Sequence, residues 1–250
     1  ILLTKVGEMP KLTDYTKYSD AQKYFSKEAL WELFDGNKDE LNIGYECIDR
    51  HPRLNTAIRI CYEKGNSRSI SFGELIDNSN RFANFLNYKG LKKGDRIAIM
   101  LDPSLEFYTA LFGTMKAGCV AVPLFTAFGP DGLSARIEDC KPNLLILAPE
   151  KSSLISEINL ETLIGDETLL KELWNFDKEF VANTNSSDMA MYQYTSGTSR
   201  ELPEAVKHRH KAIVTVMIAA LYATGVRPGD KYMCPSSPPG AMVFGMELLL

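Results

Sequence analysis

The sequence predicts an α/β fold in which parallel βαβ units form sheets covered by helices. Two observations carry this prediction. Between Arg96 and Leu147 short apolar runs alternate with stretches of helical periodicity, and strands alternating with helices of about ten residues build parallel crossover units. The 250 residues are 45% hydrophobic and 24% charged, which suits an ordinary soluble core. A chain of this length holds one large domain or two small ones.

Residues 1–50 are polar and rich in aromatics, with helical periodicity around Ala21 to Phe34. Ile58 to Tyr62 and Ser69 to Phe72 read as paired short strands, with Gly65-Asn66 as the turn signal between them. Phe72-Gly73-Glu74-Leu75 opens a helix whose Leu75, Phe82, Phe85 and Leu86 share one face. After the turn Lys93-Gly94-Asp95, Arg96 to Leu101 is a short apolar strand. A helix follows over Leu105 to Lys116, stopped by Gly118, and its stripe of Leu105, Tyr108, Leu111 and Phe112 reads as core. Cys119 to Pro123 is the next strand, Pro130 to Cys140 the next helix, and Leu144 to Leu147 a third strand. Residues 150–180 read as a helical excursion and 183–188 as a polar linker, before Ala190 to Tyr194 returns to strand. The expected division is a lead-in over 1–50, a first α/β subdomain over 51–182 and the incomplete start of a second over 183–250.

Composition narrows the function. A net charge of −4 leaves no basic footprint for nucleic acid. The five cysteines are scattered without a C-x-x-C pair, a spacing that supports neither a disulfide framework nor zinc and fits free thiols in a reducing compartment. With three histidines, no dedicated metal site is expected. The longest apolar run, Ala212 to Val226, is interrupted by Thr215, Thr224 and Gly225, and a bilayer span needs about 18 apolar residues. It reads as a buried helix. Ile1-Leu2-Leu3 is too short for a secretory h-region, so a cytoplasmic protein without stable membrane insertion is expected. The start at Ile1 and the stop inside a hydrophobic pattern at Leu250 read as those of a fragment.

The most informative stretch is Tyr192-Gln193-Tyr194-Thr195-Ser196-Gly197-Thr198-Ser199, where a strand pattern runs into hydroxyls around one glycine and a helix pattern follows. Hydroxyls and freed backbone N–H groups at such a turn suit phosphate oxygens, and Gly197 allows a close backbone approach to an anion. The alternative is a Ser/Thr-rich turn that caps a helix. A Walker A loop needs a Gly-Lys that does not follow Gly197, and Ser196 in Thr-Ser-Gly-Thr is not a nucleophile elbow.

This run resembles the phosphate loop of the adenylate-forming superfamily (acyl-CoA synthetases, peptide-synthetase adenylation domains, luciferases), whose usual form is Y-T-S-G-T-T-G-x-P-K-G-V-x-H. Further landmarks resemble the family in order: Ile70-Ser71-Phe72-Gly73-Glu74-Leu75, Lys93-Gly94-Asp95-Arg96-Ile97-Ala98, Lys116-Ala117-Gly118 through Leu124, Arg136-Ile137-Glu138-Asp139, and Cys234-Pro235-Ser236-Ser237-Pro238. Asn42 to His51 resembles the lead-in of acetyl- and medium-chain acyl-CoA synthetases.

The resemblance implies part of the large N-terminal domain of an enzyme that joins a carboxylic or fatty acid to AMP with Mg-ATP. Pyrophosphate leaves and the acyl group passes to a thiol, often coenzyme A. It implies that Thr195, Ser196, Gly197, Thr198 and Ser199 wrap the β- and γ-phosphates, with Thr198 and Ser199 donating hydroxyls or sitting near Mg2+. The second half of the motif departs from the family pattern. Arg200 stands where glycine is usual and Glu204 in the lysine slot. A carboxylate repels a triphosphate, whereas Arg200 offers a bidentate guanidinium. Lys207 and His208, with Arg209 and Lys211, add possible basic support or simply start a solvated helix, and His208 fits capping or packing as well as ligand contact. Met242 and Phe244 are candidate walls of an acyl pocket, or plain core. The adenine- and Mg-binding segment, the ribose-binding aspartate, the hinge and the small domain with its adenylation lysine are expected after Leu250, so no catalytic residue is expected in this chain. Two other readings remain: an enzyme delivering to a carrier-protein thiol, and a non-catalytic relative that binds nucleotide or a partner.

Overall fold

The computed structural model describes residues 10–62, 65–194 and 204–233. Thr195 to Arg200, Met242 and Phe244 lie outside the described residues.

The lead-in carries two short helices where one periodic stretch is predicted, α1 (Tyr18–Lys23) and α2 (Lys27–Trp31). The break is chemical: Ser26 takes an extended backbone, and its hydroxyl accepts from the Ala29 amide at 3.0 Å, capping the second helix. Strands β1 (Thr56–Cys61) and β2 (Ser67–Ser71) pair antiparallel. Gly65 between them sits at φ 79°, a conformation glycine adopts without steric cost. Ser71 then caps α3 (Phe72–Tyr88) by accepting from the Glu74 amide.

The main sheet begins with β3 (Arg96–Met100), followed by α4 (Leu105–Lys116), β4 (Val120–Pro123), α5 (Pro130–Cys140) and β5 (Leu144–Leu147). These elements lie within a residue or so of their predicted bounds. The 150–180 stretch differs from its purely helical reading. A 3-10 turn over Pro149–Glu157 leads into a strand, β6 (Thr162–Ile164), and only then a helix, α6 (Glu167–Leu173). Next come the strands β7 (Met189–Tyr194) and β8 (Ala205–Arg209), then α7 (Ala212–Ile218). The helix expected right after the hydroxyl run is therefore replaced by β8, which pairs antiparallel with β7. The apolar run from Ala212 is also not one buried helix. Beyond Ile218 it widens into a π-helical turn over Ala219–Thr224, and only Ile213, Ala220 and Leu221 of the run are buried. Among the described residues no helix is long and apolar enough to cross a membrane.

Among the described residues the sheet has six strands in the order β6-β5-β3-β4-β7-β8, parallel except for β8. It runs without a break across position 183, since β4 pairs with β7. Alternation sorts each strand onto two faces. Ile97, Ile99, Ala121, Leu144 and Ile146 join the core that holds Phe82 and Phe85 of α3 with Leu111 and Phe112 of α4. Ala98, Met100, Val122, Leu145 and Leu147 pack with Leu133 and Cys140 of α5. Both faces are buried, which is why these strands read as continuous apolar runs rather than alternating ones.

The lead-in is fastened to this core by polar groups. Asn42 donates to the Met115 carbonyl at 2.8 Å and to the Thr184 hydroxyl at 3.0 Å, and that hydroxyl donates to the Leu41 carbonyl at 2.7 Å. The Ile43 amide donates to Nδ1 of His210 at 3.0 Å. The segments just before β7 and just after β8 are therefore both held by the lead-in.

Candidate functional site

Parallel strands send their carboxyl ends to one edge, so Met100, Pro123, Leu147 and Tyr194 end on the same side of the sheet. Helix α4 covers one face and α5 the other. The chain therefore reverses its direction across the sheet between β3 and β4. Such a switch point opens a crevice beyond the strand ends, the usual ligand position in open α/β sheets. There the Thr126 hydroxyl, past β4, donates to Oδ1 of Asp102, past β3, at 2.7 Å. Phe125 and Phe128 meet edge to face, with ring centroids 5.6 Å apart. Sequence reasoning did not single out Asp102 or Thr126, because neither belongs to a motif. Only the strand order makes them neighbours.

Strand β7 lies beside β4 and delivers the chain to this edge. Its last residue, Tyr194, pairs with Ala205, the first of β8, so both feet of the 195–204 connection leave from paired sheet positions. The Tyr194 ring is buried. Its hydroxyl donates to Oδ2 of Asp139 on α5 at 2.5 Å, with the Arg136 carbonyl 3.3 Å away. Burial, then the Asp139 carboxylate, pushes the phenol far above its ordinary pKa, so it stays a donor. The Arg136 guanidinium lies 3.7 Å from the Phe128 ring centroid and 5.5 Å from that of Tyr194, within range of cation–π attraction. Burial lowers its pKa. Burial also lifts the neighbouring Cys140 thiol to about 11, which keeps it protonated and unreactive.

Lys207 and His208, proposed from sequence as support, occupy adjacent positions in β8 and so point to opposite faces. Lys207 pairs with Tyr192, and its ammonium sits 5.2 Å from that ring's centroid. His208 pairs with Met191 and is half-buried, and burial lowers its pKa. Glu204 is exposed, one residue before β8. The hydroxyl run and Arg200, like Met242 and Phe244, lie outside the described residues. Among the described residues no group of three or more His, Cys, Asp or Glu is placed to hold a metal.

Three comparisons bear on this arrangement. A family model described as AMP-binding enzyme matches residues 46–250. An acetyl-coenzyme A synthetase of Bacillus subtilis (strain 168) is 27% identical over 243 residues, covering 88% of this chain and 42% of that protein. A 3-hydroxybenzoate–CoA/4-hydroxybenzoate–CoA ligase of Thauera aromatica is 32% identical over 197 residues, covering 72% of this chain and 36% of that protein. The crystal structure of a Brucella canis acyl-CoA synthetase superposes with a TM-score of 0.82 at 25% identity, over 93% of this chain and 46% of that one. The chain thus spans less than half the length of each of these relatives.

Proposed function

Because this chain belongs to the AMP-binding enzyme family, whose model matches residues 46–250, we propose that the protein is an ATP-dependent acid–thiol ligase of the acyl-CoA synthetase type. It activates a carboxylic or fatty acid as acyl-AMP, releases pyrophosphate and passes the acyl group to coenzyme A. One observation supports this reading above the others. The hydroxyl run Thr195 to Ser199 follows directly from β7, whose carboxyl end lies at the crevice edge of the sheet, where open α/β folds bind ligands.

In this reading Thr195, Ser196, Gly197, Thr198 and Ser199 receive the β- and γ-phosphates of ATP, with Arg200 adding a charge-assisted bond. A carboxylate is a poor electrophile, and the mixed anhydride gives it AMP as a leaving group. Fixed donors around the phosphates are what phosphoryl chemistry asks of the protein. Mg2+ arrives with the triphosphate, since an ion bound mainly through phosphates and water requires no dedicated protein cage. These 250 residues supply phosphate binding and no catalytic group, so the isolated chain should form no acyl-adenylate.

A second reading, a non-catalytic relative that binds nucleotide, draws on Glu204 in the position where the family motif has lysine. One experiment tests both: carboxylate-dependent ATP–pyrophosphate exchange by the full-length protein, with short, medium, long and aromatic acids. Exchange with any acid supports the ligase. A folded protein that binds ATP and exchanges with none of them supports the second reading.

A further inference from the structure

A tyrosine that closes a buried strand must satisfy its hydroxyl, because a buried unpaired O–H costs more than a mutation to apolar would. Tyr194 meets this need with a side chain of another element, the Asp139 carboxylate 2.5 Å away on α5. The ring is fixed further by its packing among Leu133, Cys140 and Ala205 and by the Arg136 guanidinium. The Tyr194–Ala205 pairing fixes the other foot of the connection against the same sheet edge. Asp139 itself is exposed. Removing its carboxylate leaves the Tyr194 hydroxyl with the more distant Arg136 carbonyl, 3.3 Å away.

We propose that Asp139 and Tyr194 form a positioning pair for nucleotide binding, in which the α5 carboxylate holds the residue that opens the hydroxyl run. The inference rests on the phosphate-binding reading of Thr195 to Ser199. Its physical content is preorganisation. Hydroxyl and N–H donors stabilise a phosphate best when their main chain is placed before the ligand arrives. Thr195 is bonded to Tyr194, and the Tyr194–Asp139 bond links that strand end to a helix on the sheet's α5 face. The pair touches no reacting atom and acts through the chain that follows it.

The test uses the full-length protein and MgATP, with affinity by calorimetry and kinetics by ATP–pyrophosphate exchange at 25 °C. Tyr194→Phe and Asp139→Ala are each expected to raise the Kd and KM for ATP about threefold to tenfold, the range of one lost hydrogen bond, with kcat nearly unchanged. Asp139→Asn keeps an acceptor and should recover most of the loss. A purely structural role would lower Tm without moving the ATP constants well below Tm. If Tyr194→Phe fails to fold, the exposed Asp139 variants carry the test alone. Unchanged ATP constants in an active protein overturn the pairing and leave the ligase reading standing, as does Asp139→Asn behaving like Asp139→Ala. A wild-type protein that neither binds MgATP nor exchanges overturns both.

Discussion

The ammonium of Lys116 lies 2.6 Å from Oδ2 of Asp49, with only 2% of the lysine side chain exposed. Its remaining donors go to Asn80 Oδ1 at 2.7 Å and Ser79 Oγ at 2.9 Å, so three groups from two other elements surround one charge at the end of α4. Burial pulls the lysine below its ordinary pKa and pushes the aspartate above its own. The pair therefore costs desolvation, and what it gains is a fixed join between lead-in and core.

Breaking that pair from one side is costly. Lys116→Met takes from Asp49 its one contacting cation among the described residues, leaving only the more distant Arg53, and should lower unfolding stability by about 3–5 kcal/mol in urea titration. Lys116→Met combined with Asp49→Leu should recover most of the loss, since two apolar groups need no partner. A double variant as unstable as the single one would show that packing, rather than the stranded charge, sets the cost.

His210 gives a pH dependence. It is fully buried, its Nδ1 accepts from the Ile43 amide, and burial lowers its pKa to about 4. The unfolded chain binds this proton near pH 6.5 and the folded chain only near 4, so the unfolded state holds more protons between them. Stability is intact above about pH 6.5 and falls as pH drops toward 4, by up to about 3 kcal/mol. His210→Asn keeps an acceptor for Ile43 without a titrating group and should flatten the slope. Equal slopes in wild type and variant would assign the acid sensitivity to other groups.

Helices α3 and α4 approach closely at Gly113. A methyl group there would stand 2.7 Å from the Ser79 carbonyl oxygen and 2.9 Å from Cβ of Phe82. Gly113→Ala should lower Tm, because overpacking against a helix backbone costs about 1–3 kcal/mol and outweighs the ~1 kcal/mol gained in helix propensity. A raised Tm would mean the two helices separate without penalty.

Arg200 bears on the altered half of the phosphate motif. In the full-length protein Arg200→Ala should raise the KM for ATP by about ten- to hundredfold, the equivalent of a charge-assisted bond worth about 1.5–3 kcal/mol. Arg200→Lys should keep part of the effect, having charge without the bidentate fork. Unchanged ATP kinetics in Arg200→Ala would make the arginine a surface residue.

The sequence by itself determined the βαβ rhythm. Arg96 to Met100, Leu105 to Lys116, Pro130 to Cys140 and Leu144 to Leu147 were legible because the helices carry their own periodicity and the strands are continuous apolar runs, each bounded by a cap, a glycine or a proline. The hydroxyl run and its flanking landmarks were legible too, as chemistry at a turn. Tertiary structure alone decided the edge strands. Thr162 to Ile164 is too short to show a period, and the basic cluster that ends Ala205 to Arg209 suits a solvated helix start equally well. Each is a strand because an unpaired neighbour, β5 or β7, offers it hydrogen bonds. The same holds for the side-chain pairs that join distant segments. Asp139 with Tyr194, Asp102 with Thr126, Asp49 with Lys116 and Ile43 with His210 are distant in sequence and carry no spacing signal. Strand order brings the first two pairs together and docking of the lead-in the other two, and burial then sets what each contact costs or contributes.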